Sequence, residues 1–420
     1  MSEGREGVDT VGLDTPPPLA VDRLLDDRET RIIVCCGAGG VGKTTTAAAL
    51  GVRAAARGRK AVVLTIDPAR RLAQSMGIDS LDNTPRKVAS AGAAGGELHA
   101  MMLDMKRTFD EIVEAHADAE RARAILANPF YQSLSAGFAG TQEYMAMEKL
   151  GQLRARDDWD LIIVDTPPSR SALDFLDAPK RLGSFLDGKF IRVLMAPAKV
   201  GGRAGMKFLN VGMSMMTGTL SKLMGASLLK DVQTFVAAMD TMFGGFRTRA
   251  DATFRLLQAP GTAFLVVAAP EPDALREAAY FVERLAAERM PLAGLVLNRV
   301  HGSGADQLSA ERALAAAENL EEGGIVDQES GKAGLRDTAA EPPGADDDTT
   351  AVDRITAGLL RLHAERMQVI AREQRTRDRF TSLHPEVAVA EVAALPGDVH
   401  DLAGLRAIGE RLAAGVPAGA

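Results

Sequence analysis

A chain of 420 residues is longer than one ordinary compact domain and suits a large α/β domain with insertions, or two domains. Its 46% hydrophobic and 25% charged content is that of a globular protein, which excludes a mostly disordered or fibrous chain. A formal charge of −7, with no run of basic and aromatic residues suited to base stacking, argues against a nucleic-acid binder.

Residues 1–28, which include Pro16-Pro17-Pro18, read as a flexible leader. The first ten residues are acidic and lack an apolar stretch, so no secretory signal is expected. Cys35 and Cys36 are the two cysteines of the chain. Adjacent as they are, they offer no disulfide framework, which fits a reducing, cytoplasmic setting. They end an apolar run and should be buried on opposite faces of a strand. The longest uncharged stretch, Phe208 to Ser221, is too short and too polar to span a bilayer, so no transmembrane segment is expected.

Short apolar runs occur at Ile32–Cys36, Ala61–Ile66, Leu161–Val164, Ala263–Ala268, Leu292–Leu297 and Val387–Val392. Most are followed by a turn rich in Gly, Pro or Asp and then by a helical pattern. Continuous rather than alternating apolar runs mean strands buried on both faces. The fold class expected is therefore α/β, a doubly wound, mostly parallel sheet with ligands at the carboxyl ends of the strands.

The residues after the first run, Gly37-Ala38-Gly39-Gly40-Val41-Gly42-Lys43-Thr44-Thr45, match G-x-x-x-x-G-K-[ST] between a strand and a helix. Glycines there let successive backbone N–H groups turn inward around phosphate oxygens, and the helix adds its positive end. Lys43 is placed to bridge the β- and γ-phosphates, and Thr44 to ligate Mg²⁺. The second run leads into Asp67-Pro68, the third into Asp165-Thr166-Pro167-Pro168. A carboxylate at a buried strand tip beside such a loop holds the metal and its waters. Asp67 is the candidate for polarising the attacking water. Asp165 is the candidate for holding Mg²⁺ through a water.

With D-P-A after the second run and D-T-x-P after the third, the pattern resembles the deviant phosphate-loop ATPases of the ArsA type. That family includes arsenite-pump ATPases and ATPases that deliver tail-anchored membrane proteins. The likeness runs from about Arg31 to Val300 and resumes near Val387 to Ala414. It implies ATP and Mg²⁺ as ligands, a dimer, and a switch segment made of Asp67, Pro68 and Asp165 to Pro168. It places Glu271 against nucleotide and Asn298 against adenine, with Leu395 and Pro396 completing the adenine pocket.

The sequence departs from that family in two places. The family's signature lysine, second in the loop, is here Ala38. The resemblance then implies a partner that supplies it: a homodimer is possible, but a heterodimer with a paralogous subunit keeping the lysine is favoured. No C-x-x-C pair is present and the six histidines are scattered, so no zinc is expected.

The strand pattern is interrupted by a helical insertion over 104–158 and a methionine-rich one over 177–258. The core is thereby divided into 29–103, 159–176 and 259–300. In the second insertion Met206, Leu209, Met213, Met216, Leu220 and Leu223 recur at steps of three and four, one face of a helix. Such a face suits either the seam of a helical subdomain or a hydrophobic client. Between Gly302 and Val352 twelve acidic residues stand against three basic ones. This insertion, 301–352, reads as disordered or loosely helical, and 353–416 as C-terminal helices with the last core strand. Functionally, an ATPase switch acting on the methionine-rich subdomain is expected. The alternative is a chaperone-like client-binding module in which ATP is regulatory. A membrane-associated partition ATPase is disfavoured for want of a basic amphipathic end.

Overall fold

The computed structural model describes residues 16–66, 71–78, 80–89, 95–129, 131–132, 135, 141–167, 245, 248–321, 325–326, 333–334 and 346–414. Asp67, Pro68, Pro168 and the methionine series Met206–Leu223 lie outside these residues.

Eight strands form one sheet. In chain order they are β1 (Ile32–Cys36), β2 (Lys60–Thr65), β3 (Arg86–Lys87), β4 (Glu97–Met102), β5 (Leu161–Asp165), β6 (Thr262–Ala268), β7 (Leu292–Val300) and, after a short two-stranded pair β8 (Ile325–Val326) and β9 (Ala333–Gly334), β10 (Val389–Ala393). Their spatial order is β10-β7-β6-β1-β5-β2-β4-β3, and only β3 runs antiparallel to its neighbour. The all-apolar runs become the central strands: every residue of β1, β5 and β6 is buried. Two hydrophobic layers flank the sheet. Ile33 and Cys35 face one, Ile32, Val34 and Cys36 the other. The alternation follows from the two-residue period of a strand.

The helices are α1 (Val21–Asp26), α2 (Lys43–Ala56), α3 (Arg71–Ser75), α4 (Met105–His116), α5 (Ala119–Leu126), α6 (Thr141–Arg156), α7 (Pro272–Ala287), α8 (Ala310–Glu321), α9 (Asp346–Leu383) and α10 (Leu402–Ala414). Helix α2 carries alanines on nearly every turn, and its buried face packs across β2, β4 and β5. Helices α4, α5 and α6 occupy the first insertion. Asp104 caps α4 by accepting from the Arg107 N–H at 2.9 Å. Of the second insertion, residues 248–258 are helical. There the Arg249 Nε donates to Glu148 of α6 at 2.9 Å, across the two insertions. Among the described residues no helix is long and apolar enough to cross a membrane.

Three expectations need correction. The leader is not flexible from residue 16 onward. Leu19 N donates to Val389 O at 3.0 Å and Val389 N to Pro17 O at 2.9 Å, so the proline run extends the sheet beyond β10. Proline lacks an N–H and fits such an outermost edge. Helix α1 then buries Val21 and Leu25 completely. The acidic segment 301–352, read as disordered or loosely helical, contains regular helix at Ala310–Glu321 and from Asp346 among its described residues, so the disordered alternative does not hold there. Alanines at 313 and 317 let α8 approach α9 closely, and the boundary at 352 falls inside α9. Finally, β4 was not expected, because its residues ELHAMM alternate rather than run apolar.

Arg59 is the largest fully buried side chain among the described residues. Its two terminal nitrogens donate to the carbonyls of Leu25, Asp27, Thr30 and Asp160 at 2.6–2.9 Å. One guanidinium thus ties α1 and the approach to β1 to the entry of β5. Burial pulls its pKa down from the usual arginine value, yet arginine stays charged at neutral pH. Lysine offers a single nitrogen that cannot span four carbonyls. Arg59→Lys is expected to cost about 2 kcal/mol, roughly one or two unsatisfied buried acceptors, measured by urea unfolding.

Candidate functional site

The site begins where β1 ends, at the middle of the sheet. Gly37 has φ +148, and a Cβ there would sit 2.0 Å from Val267 O on β6. Only glycine lets the chain leave the strand so close to its neighbour. The loop continues through Gly39 and Gly40, both exposed, and closes at Gly42, the N-cap of α2, with φ 95 and ψ 24. Positive φ at Gly37, Gly40 and Gly42 is the backbone form that lets loop amides turn inward at the start of a helix, as an anion-binding nest requires.

Lys43 is buried, 5% exposed, and its Nζ donates to Ala38 O at 2.6 Å. The ammonium therefore lies folded across the loop it belongs to. Ala38 itself brings a methyl group and no charge. Beside it, Thr44 Oγ1 donates to Asp165 Oδ2 at 2.7 Å, and Thr65 Oγ1 donates to the same oxygen at 2.8 Å. Asp165 is fully buried at the tip of β5. Thr166 Oγ1 donates to Cys35 O at 2.9 Å, so the segment after β5 is latched to the strand that carries the loop. Pro167 follows it, also buried. A threonine hydroxyl beside a carboxylate is a hard, all-oxygen donor pair. Its chemistry fits Mg²⁺ rather than a metal preferring sulfur or nitrogen. Among the described residues there is no group of three or more His, Cys, Asp or Glu able to hold a metal.

A second feature opens on the other side of the loop. A cleft of about 440 Å³ is lined by Gly42, Thr45, Asn298, Arg299, Leu395 and Pro396, among others. Strand pairing explains how residues nearly a hundred positions apart meet: Asn298 is opposite Val392 in the β7–β10 ladder. The register slips just after, leaving Arg299 as an extra residue at φ 63. Asn298 Nδ2 donates to Val41 O at 2.8 Å, fastening the cleft to the loop. A lining that mixes apolar residues such as Val392, Leu395 and Pro396 with the amide of Asn298 suits a planar heterocycle.

Of the remaining sequence candidates, Glu271 is exposed at the N-cap of α7 and does not line this cleft. Cys35 and Cys36 are fully buried on opposite faces. Burial pushes both thiols up, Cys36 to about 12, and Cys35 well above the usual thiol value, where the nearby Asp165 carboxylate adds to the rise. Neither is a nucleophile at neutral pH. Sequence reasoning missed Thr65, and Arg299 and His301, which line the cleft. Thr65 had a usable signal, a hydroxyl ending an apolar run two positions before an aspartate.

A family profile described as anion-transporting ATPase matches residues 30–322, more than half of the chain. An ATPase GET3 of Podospora anserina is 26% identical over 298 residues, covering 69% of this chain and 80% of that protein. An ATPase GET3 of Malassezia globosa is 28% identical over 173 residues, 41% of this chain and 50% of that protein. A putative arsenical pump-driving ATPase of Halobacterium salinarum is 29% identical over 205 residues, 46% of this chain and 31% of that protein. The chain thus spans from a third to four fifths of the lengths of these relatives. A glycine loop at the tip of β1, a Thr44–Asp165 pair beside it and a profile match that takes in β1 to β7 agree: the chain belongs to the anion-transporting ATPase family.

Proposed function

We propose that the chain is an ATP-binding and ATP-hydrolysing switch whose nucleotide state controls its helical insertions. The observation that carries this reading is the loop Gly37–Thr44, wrapped between a central strand and α2 with Lys43 inside it. In this reading the loop amides hold the β-phosphate. Lys43 leaves the Ala38 carbonyl to bridge the β- and γ-phosphates, and adenine enters the cleft beside Asn298, Leu395 and Pro396. Thr44 and, through a water, Asp165 would hold Mg²⁺, which neutralises charge developing on the γ-phosphate. Asp67, outside the described residues, would polarise the attacking water. Because Thr166 is bonded to β1 and follows Asp165 directly, a change at the metal site would pull on the chain that enters the second insertion.

Phosphoryl transfer depends on cations set against the γ-phosphate, and this loop supplies one lysine where the resemblance calls for two. A paralogous subunit that keeps a lysine at the position of Ala38 would supply the second across a dimer interface. The test is steady-state ATP hydrolysis by the purified chain, alone and mixed with such a paralogue. A rise of at least tenfold on mixing, lost when the partner's loop lysine is replaced by alanine, is the expected result. Full turnover by the chain alone, unaffected by the partner, would remove the composite-dimer part and leave the nucleotide site standing.

A further inference from the structure

Among the described residues, three that are not glycine have a left-handed backbone: Asp157 at φ 51, Arg289 at φ 56 and Arg299 at φ 63. Asp157 directly follows α6, and Arg289 follows the C-cap of α7. A left-handed residue there is an ordinary way to stop a helix. Arg299 differs, because it stands inside β7. It is the extra residue where the β7–β10 register slips, between the Asn298–Val392 and Val300–Ala393 pairs. A bulge with a left-handed residue ordinarily carries glycine at that place, since a Cβ crowds the following carbonyl oxygen. For the backbone alone arginine is the costlier choice, and strain of this kind gathers where a side chain serves a site.

The fold itself makes no visible use of that side chain. Arg299 is exposed, and its guanidinium forms no hydrogen bond or ion pair among the described residues. It lines the cleft at Asn298, and Asp398, the one acid of that lining, does not pair with it. His301 lines the same cleft but already places one ring nitrogen 2.6 Å from Glu373. Arg299 is therefore the uncommitted cation of the cleft. Ala394 N donates to Val300 O at 2.8 Å, so β7 and β10 leave the sheet side by side. Arg299 stands on the one, and the apolar Leu395 and Pro396 follow the other.

We propose that Arg299 is a base-binding residue. Its guanidinium lies flat on one face of the purine of a bound nucleotide, whose other face rests on Leu395 and Pro396. A guanidinium is planar and weakly hydrated, and it stacks on aromatic rings better than a strongly hydrated ammonium. The inference rests on the nucleotide reading above. It adds a grip on the face of the base to the contact that Asn298 makes at its edge. The left-handed backbone at residue 299 is then the structural cost of turning a long side chain into the cleft at the point where the ladder slips.

Isothermal titration of the full chain with ATP·Mg, and separately with inorganic tripolyphosphate and Mg²⁺, distinguishes the base from the phosphates. Arg299→Gly is expected to bind ATP about tenfold more weakly, and tripolyphosphate as the parent does. Arg299→Lys keeps the charge and the left-handed backbone but not the plane, and should recover little of the loss. Urea unfolding without nucleotide gives a second readout. There Arg299→Gly should raise the midpoint at unchanged slope, because strain is relieved and no native contact is lost. Equal losses for ATP and tripolyphosphate would assign the arginine to the phosphates and overturn the proposal. Unchanged ATP affinity, or a lowered urea midpoint, would overturn it too, the latter by making Arg299 a residue of the fold. A parent chain that bound neither ligand would remove the nucleotide site and this inference with it, whereas a binding parent with unaltered variants removes this inference alone.

Discussion

Lys43→Ala is expected to lower ATP turnover by about 10²–10³, the loss found when one well-placed transition-state donor is removed. Two features of the site set that size. Lys43 is 5% exposed, so its charge acts in a poorly screened environment where its attraction for phosphate exceeds that of a surface lysine. It also stands on the first residue of α2, where the loop amides and the helix end already point at the same anion. With position 38 an alanine, nothing in the same loop replaces it. The fold should change little, since the Lys43 ammonium bonds a carbonyl of its own loop. Thermal melting without ATP is therefore expected to be unchanged, while the rise in melting temperature produced by ATP·Mg shrinks, because that rise follows the binding constant. Unaltered turnover together with an unaltered ATP-induced shift would mean that the loop is not the nucleotide site.

The parts of this arrangement differ in how readily the sequence discloses them, for physical reasons. A strand buried on both faces must be apolar throughout, which is why IIVCC, LIIVD and TAFLVVA stand out and fall beside one another at the centre of the sheet. Strand β4 sits near the sheet's margin, half-covered at Glu97 and His99, and so carries no such signature. The phosphate loop is legible because its chemistry is local: the eight consecutive residues Gly37–Thr44 make it. The cleft is not, since Asn298 and Leu395 meet only through the β7–β10 ladder and a one-residue slip that leaves Arg299 at positive φ. The likeness to a known family, rather than spacing, put those two residues together.

Arg59 left no trace, because a basic residue after Gly58 reads as an ordinary surface turn. Its burial depends on four carbonyls from distant segments. The leader from residue 16, and in part the acidic segment, were misread for one shared reason. Proline content and net charge report how a segment would behave alone. Pro17, Leu19 and α1 are held by the edge of β10, and the acidic tip of α9 extends from a helix anchored at Ile370 and Phe380.

Gly42→Ala should be nearly as damaging to nucleotide binding as the loss of Lys43, and it tests the geometry rather than the charge. Two separate penalties apply. Gly42 has φ 95 and ψ 24, left-handed backbone that costs a residue with a Cβ about 1–2 kcal/mol. The added Cβ would also lie 2.2 Å from Asn298 Nδ2, closer than any real contact. Asn298 must then give up its 2.8 Å hydrogen bond to Val41 O, leaving buried polar groups unpaired at about 1–3 kcal/mol. Together these predict a loss of ATP affinity of roughly 10²–10³ at 1.4 kcal/mol per factor of ten. The two penalties separate in a double-mutant cycle with Asn298→Ala. Removing the amide abolishes the collision but not the backbone strain, so the double variant should bind ATP more tightly than Gly42→Ala alone, and still more weakly than the parent chain. Isothermal titration with ATP·Mg on the four chains measures this. Strictly additive losses would show that the Gly42–Asn298 contact does not couple the phosphate loop to the cleft, and that the two halves of the site act separately.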